Sequence, residues 1–151
     1  MDIKICFTPT GQYLIYENAY RVQIWHLPEG RLLLRDDGKL IGIASSGQSV
    51  LLETLGHKVR VFDLLAETHI PLEEAHPKDY PVGARCILRT KQNLIQVVDA
   101  LSGVELISVP LSDLIGTSRL HPGINATCLS SDGKFFAVSI AGDSMWGEWA
   151  R

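Results

Sequence analysis

No segment of this sequence comes near the roughly 18 consecutive apolar residues of a membrane-spanning helix, and no block of Lys and Arg interrupts it. Its 14 basic residues are outnumbered by 17 acidic ones, for a formal net charge of −3. A mildly acidic chain of this kind lacks the electrostatic footprint of a nucleic-acid or anionic-membrane binder, so neither nucleic acid nor membrane is expected as a partner. The opening residues Met1-Asp2-Ile3-Lys4-Ile5-Cys6-Phe7 hold no basic segment leading into an apolar one, so no secretory leader is expected. Cysteine is scarce and odd in number. Cys6, Cys86 and Cys128 lie far apart, which argues against a disulfide framework and for a reducing compartment. The cytoplasm is the expected location, with the nucleus as the alternative. The Asn125-Ala126-Thr127 sequon is then read as coincidental.

Metal and cofactor signatures are missing as well. His26, His57, His69, His76 and His121 fall in neither an H-x-x-x-H nor an H-E-x-x-H spacing, and no two cysteines stand at C-x-x-C. There is no Walker-type loop and no dinucleotide fingerprint. No metal site and no cofactor are expected.

What the chain has is recurrence. Residues 3–34 hold four short apolar segments separated by three turn signals. Phe7-Thr8-Pro9-Thr10-Gly11-Gln12 returns 36 residues later as Ile43-Ala44-Ser45-Ser46-Gly47-Gln48. Val22-Gln23-Ile24-Trp25-His26-Leu27 returns 37 residues on as Val59-Arg60-Val61-Phe62-Asp63-Leu64, and 36 further on as Ile95-Gln96-Val97-Val98-Asp99-Ala100. The turn Leu27-Pro28-Glu29-Gly30 recurs as Ala100-Leu101-Ser102-Gly103. A fourth copy opens with Cys128-Leu129-Ser130-Ser131-Asp132-Gly133-Lys134-Phe135-Phe136, matched to the segment from Cys6 at a distance of 122 residues. Periods of this size define a repeat architecture, in which each unit buries its faces against its neighbours.

The segments are strands. They run four to seven residues, are rich in Val, Ile, Leu, Tyr and Phe, and several alternate, as in Arg21-Val22-Gln23-Ile24-Trp25. Between them Gly or Asp supplies the positive φ of a tight hairpin. Four hairpin-linked strands per unit of about forty residues make a propeller blade. The expected fold class is therefore all-β: a partial β-propeller of about three and a half to four antiparallel blades, at residues 1–36, 37–73, 74–110 and 122–151 of a single domain. The third blade's inner strand should fall at residues 77–82, but Pro77 and Pro81 remove ladder donors there, so a loop or ragged edge is expected. In the connection 110–123, Ser112-Asp113-Leu114-Ile115 is read as one helical turn capped by Ser112.

This pattern resembles the WD-repeat (tryptophan–aspartate repeat) β-propellers over nearly the whole chain. The family ends each third strand in Trp-Asp; here the pair is Trp25-His26, Phe62-Asp63 and Val98-Asp99, so no copy carries both residues. The family's S-x-D-G turn stands complete only at Ser130-Ser131-Asp132-Gly133, with Thr8-Pro9-Thr10-Gly11 as a looser form. The Asp after the third strand should cap the following turn through backbone N–H groups, and His26 is read as taking that capping place. By resemblance the function is a non-catalytic scaffold for protein–protein interaction. The alternative is an accessory propeller segment of a larger enzyme, an NTPase or hydrolase. Propellers of this family usually close with seven blades. The chain is therefore read first as a fragment of a longer propeller, second as one that self-associates through unpaired terminal blades, and third as a closed four-bladed ring.

Candidate sites follow from that reading. The segment Gly142-Asp143-Ser144-Met145-Trp146-Gly147 superficially resembles the start of one esterase family, but it misses G-x-S-x-G by one residue and falls in an expected hairpin, so it is read as a turn. Cys6 and Cys128 share one position on inner strands, as small buried residues. Asp36-Asp37 and Glu73-Glu74 are read as solvated loop charges. Protein partners are expected on the face built by residues 17–20, 55–57, 91–92 and 142–144 with the connections 36–38, 73–83 and 110–123. Tyr20, His57 and Tyr80 are the expected anchors, as exposed ring side chains.

Overall fold

Apolar segments that alternate, broken by Gly-bearing turns, fold as antiparallel hairpins because the pleat sends successive side chains to opposite faces. The computed structural model describes residues 3–91, 93–110, 112–113, 123–130, 132 and 134–141, and over these the chain is built that way. Strands β1 (Ile3–Phe7), β2 (Tyr13–Asn18), β3 (Arg21–His26), β4 (Arg31–Ile43), β5 (Ser49–Thr54), β6 (Val59–Asp63) and β7 (Thr68–Ile70) follow one another in order, each antiparallel to the last. Strands β8 (Cys86–Lys91), β9 (Leu94–Asp99) and β10 (Glu105–Pro110) form a three-stranded sheet, and β11 (Gly123–Leu129) pairs with β12 (Phe136–Ala141). Residues 112 and 113 are helical; the rest of that expected turn and the segment 142–147 lie outside the described residues.

Strand β4 serves two units. Its Arg31–Asp37 half pairs with β3, and its Gly38–Ile43 half pairs with β5. The loop expected at residues 36–38 is therefore not a loop. Gly38 makes this continuity feasible: its N–H donates to the Tyr20 carbonyl at 2.6 Å, and a Cβ there would run into the backbone of Glu53. Asp36 and Asp37 consequently stand in a strand rather than a solvated turn. Asp37 pairs with Arg21 at 3.3 Å, and Asp36 lies 3.8 Å from Arg60.

The core is formed between sheets. Tyr13, Ile15, Val22 and Ile24 of the first unit pack on Leu40, Val50, Leu52, Phe62 and Leu64 of the second. The opposite face of the second unit, with Leu51 and Val61, packs on Tyr80 and the partly buried Leu72 and Leu101. This explains the unbroken Val50-Leu51-Leu52: a strand buried on both faces has no polar side to alternate with. The first unit is covered on one face only. Ile3, Ile5 and Phe7 of β1 share the other face and remain 54%, 58% and 61% exposed, while Cys6 points to the core.

Where the third unit would place an inner strand, the chain makes three single 3₁₀ turns at Leu72–Glu74, Pro77–Asp79 and Val82–Ala84. Proline at residues 71, 77 and 81 stands at the entry to each. The segment is nonetheless tied down. Ser45 N–H donates to Asp79 O at 2.7 Å, and Gly42 faces Ala84 so closely that a Cβ would meet its carbonyl.

Turn chemistry repeats at atomic level. Asp63 Oδ1 accepts from the N–H groups of Leu65 and Ala66 at 2.9 and 2.8 Å, and Asp99 Oδ1 from those of Leu101 and Ser102 at 2.9 and 3.3 Å. Both aspartates cap the turn after their third strand, as the resemblance implies. His26 does not. Its ring lies against Tyr13, 5.2 Å between centroids, with Nδ1 3.3 Å from Glu29, and backbone bonds from Leu27 to Gln12 and from Gly30 to Leu27 close that turn instead. An imidazole nitrogen lacks the two-lone-pair oxygen that lets a carboxylate accept from two successive amides.

Asp99 carries a second load. Its Oδ2 accepts from Arg85 Nε at 2.9 Å, and the same guanidinium donates to Pro77 O at 2.8 Å, joining the 3₁₀ segment to β9. Removing one member of a buried pair strands the other charge, so Asp99→Ala is expected to lower unfolding free energy by about 3 kcal/mol in urea denaturation. Gly42→Ala should destabilise by roughly 1–3 kcal/mol through overpacking against Ala84. A wild-type urea midpoint for that variant would contradict the close approach of β4 to the third 3₁₀ turn.

Candidate interaction face

At one end of the strands the β2–β3 and β5–β6 turns stand beside the Asp37–Gly38 junction, where β4 passes from β3 to β5. The first is a two-residue turn at Ala19 and Tyr20, with Asn18 opposite Arg21 and Ala19 at φ 52°. It is anchored from behind: besides the Tyr20–Gly38 bond, Glu17 Oε2 accepts the Leu40 N–H at 2.7 Å. The second turn is a three-residue loop, Leu55, Gly56 and His57, in which His57 takes a left-handed conformation at φ 59°. Glycine is usual there in such hairpins, and a non-glycine residue costs backbone energy.

Between these turns and strand β8 lies an open cleft of about 650 Å³. Tyr20 and Leu55 give it apolar surface, and Lys39, Arg89 and Lys91 give it positive charge. Its one lining carboxylate is Glu53, whose side chain is only 11% exposed. Glu53 Oε1 lies 3.0 Å from His57 Nδ1 and 3.5 Å from a terminal nitrogen of Arg89, so one carboxylate links a turn of the second unit to a strand of the third. Arg89 Nε is buried with no hydrogen-bond partner among the described residues. Lys39 Nζ stands 5.4 Å from the centroid of the Tyr20 ring, within cation–π range.

Tyr20 and His57 are thus brought to one cleft. Tyr80 is not. It is 3% exposed, packed with Ala44, Leu51 and Val61, and its hydroxyl is 2.6 Å from Ser49 Oγ. The 3₁₀ turns on either side of it direct the ring inward, so the expectation of an exposed anchor at residue 80 is corrected. Lys91 falls in the expected 91–92 turn, whereas Lys39, Glu53 and Arg89 escaped sequence reasoning. One signal was present: Glu53 and Arg89 are 36 residues apart, one repeat, which places them at matching heights in adjacent units.

Among the described residues no group of three or more His, Cys, Asp or Glu side chains is arranged to hold a metal ion. Of the described cysteines, Cys6 and Cys86 are free, and burial pushes the Cys86 thiol up, away from the reactive thiolate. Among the described residues no helix is long and apolar enough to cross a membrane.

The strand order and inter-sheet core define a β-propeller segment. No protein-family model matches the chain, and no curated protein matches it. Among solved structures it is similar to the β-propeller domain of Cps50 (Swd1) from Myceliophteria thermophila, at 17% sequence identity and a TM-score of 0.54. The match covers 90% of this chain and 47% of that one, so the chain spans about half of that propeller's length. Identity at this level carries the fold and nothing more.

Burial raises the Tyr80 phenol above its ordinary 10.0, against the Ser49 hydrogen bond, which lowers it. The folded chain then keeps the phenolic proton at pH values where the unfolded chain has released it. Stability from this group is full below pH 10 and declines as pH rises above it. Tyr80→Phe is expected to cost about 1 kcal/mol at neutral pH, from the lost hydrogen bond, and to flatten the alkaline decline in denaturation series. An unchanged alkaline slope would assign that decline to another group.

Proposed function

We propose that this chain is a divergent WD-repeat-like propeller segment that acts as a non-catalytic platform for protein–protein interaction. The observation that carries the reading is the face just described, where Tyr20 and Leu55, both exposed, flank an open cleft on turns held rigid by backbone hydrogen bonds. Rigid scaffolds that display loops are where binding residues concentrate. Exposed aromatic anchors beside a concave surface are what protein partners exploit. Tyr20 and His57 are the partner-binding residues of this reading.

The platform belongs to a larger ring. Support comes from the uncovered apolar face of β1 and from a match spanning 47% of a solved propeller domain. A face bearing Ile3, Ile5 and Phe7 has the alternation that buries against a neighbouring blade in the core between the first and second units. Further blades of the same polypeptide are the occupant that architecture calls for, with a second copy of the chain as the runner-up.

A photo-crosslinking amino acid at Tyr20 and, separately, at His57 should capture the same protein from cell extract. Placed at Leu65, in the β6–β7 turn at the opposite end of the strands, it should not capture that protein. Equal capture at all three positions, or none at Tyr20, would count against this face as the platform.

A further inference from the structure

The cleft between the second and third units is basic on a chain that is acidic as a whole. Lys39, Arg89 and Lys91 line it against the single carboxylate of Glu53, while the net charge of the sequence is −3. That carboxylate is already engaged, by His57 at 3.0 Å and Arg89 at 3.5 Å. Two further carboxylates on this face are also occupied: Glu17 by the Leu40 N–H, and Asp37 by Arg21. Among the described residues Lys39 and Lys91 form no ion pair, and the Arg89 Nε proton has no acceptor. The positive groups therefore outnumber the carboxylates that could satisfy them, and the surplus faces the opening.

Apolar surface adjoins that charge. The Tyr20 ring and the Leu55 side chain, 61% and 59% exposed, stand at the rim where this cleft meets a second, shallower one that runs along Tyr16, Asn18 and Gln23. A ligand lying here would meet aromatic and aliphatic surface together with three cations. Lys39 over Tyr20 already couples the two.

We propose that this cleft binds an acidic peptide segment of a protein partner, its Asp or Glu carboxylates on Lys39, Lys91 and the exposed part of the Arg89 guanidinium, and an apolar side chain against Tyr20 and Leu55. The inference rests on the platform reading and specifies the chemistry of its ligand. Charge complementarity sets the sign, since a carboxylate entering the cleft satisfies donors that lack acceptors. Confinement favours peptide over nucleic acid. Three cations in one cleft give a short footprint, whereas a nucleic-acid backbone is tracked by an extended basic stripe.

The test is a selection followed by a titration. A pool of random ten-residue peptides is panned against the intact chain and against a Lys39→Gln/Lys91→Gln variant, both side chains being exposed and free of ion pairs, so that the fold is retained. Circular dichroism confirms that retention, and Lys4→Gln/Lys78→Gln, at two exposed positions away from the cleft, serves as the charge-matched control. Peptides enriched about twofold or more in Asp and Glu, with an apolar residue among them, are expected from the wild type and the control but not from the double variant. The best peptide, labelled and followed by fluorescence anisotropy, should bind the double variant about tenfold more weakly, and weaken with added salt.

Selected peptides of unchanged or basic composition, or none, would overturn the proposal. So would an acidic peptide that binds the double variant as well as the wild type. A single-stranded oligonucleotide that outcompetes the acidic peptide would transfer the cleft to nucleic acid. Crosslinking at Tyr20 and His57 separates the two levels: capture of a defined protein without acidic preference leaves the platform standing and removes only this ligand chemistry.

Discussion

Everything in this molecule depends on one sheet packing face to face against the next. A four-stranded unit of this length has no interior of its own; its apolar side chains are buried only when a second unit arrives. Ile15, Ile24, Val50 and Leu52 are fully or almost fully buried, and each achieves this through a residue from the neighbouring unit. At about 25 cal/mol per Å² of apolar surface removed from water, this inter-unit seam outweighs any polar contact described above. The ion pair of Arg31 with Glu67, one repeat apart on the exposed surface, sits over the same seam and adds little by comparison.

The same dependence explains which strands were legible in the sequence. Arg21–His26 alternates because one of its faces is half open, and Val50–Leu52 within β5 is continuously apolar because neither face there is. Hairpin positions were legible because Gly11, Gly30, Gly47 and Gly103 all adopt the positive φ that their recurrence implied. Tyr80 was not, because its burial is decided by prolines and by Ser49 thirty-one residues away, neither of which enters a local pattern. The continuity of β4 was missed for a similar reason. Asp36-Asp37-Gly38 reads locally as a turn, and only the facing backbones of Tyr20 and Glu53 hold it extended.

Repeat logic also accounts for where the family-like pattern matters physically and where it lapses. Asp63 and Asp99 each satisfy two turn amides, and Asp99 adds the Arg85 guanidinium, so those copies keep the acid. The first copy closes its turn by backbone bonds alone, which leaves His26 free to pack on Tyr13. Trp25 is used in the same local way, its indole N–H donating to Gln23 at 3.2 Å rather than reaching another unit. Departure from the Trp-Asp pair is thus compensated within the first unit and does not disturb the seam.

The candidate face lies at the polar end of that seam. Side chains that leave the apolar interior near the β5–β6 turn belong to different units, and where they meet, Glu53 is drawn between His57 and Arg89. One carboxylate is insufficient for the cations gathered there, because the third unit contributes Arg89 and Lys91 from a strand whose pattern is set by its own hairpin. Two non-glycine residues, Ala19 and His57, are held in left-handed conformations on the turns beside the same cleft. A turn that needed only to close would carry glycine at such positions at lower cost. A third such residue, Glu67 at φ 55°, stands in the β6–β7 turn at the other end of the strands, so what sets the cleft end apart is the unmatched charge of Lys39, Arg89 and Lys91 beside the Tyr20 ring.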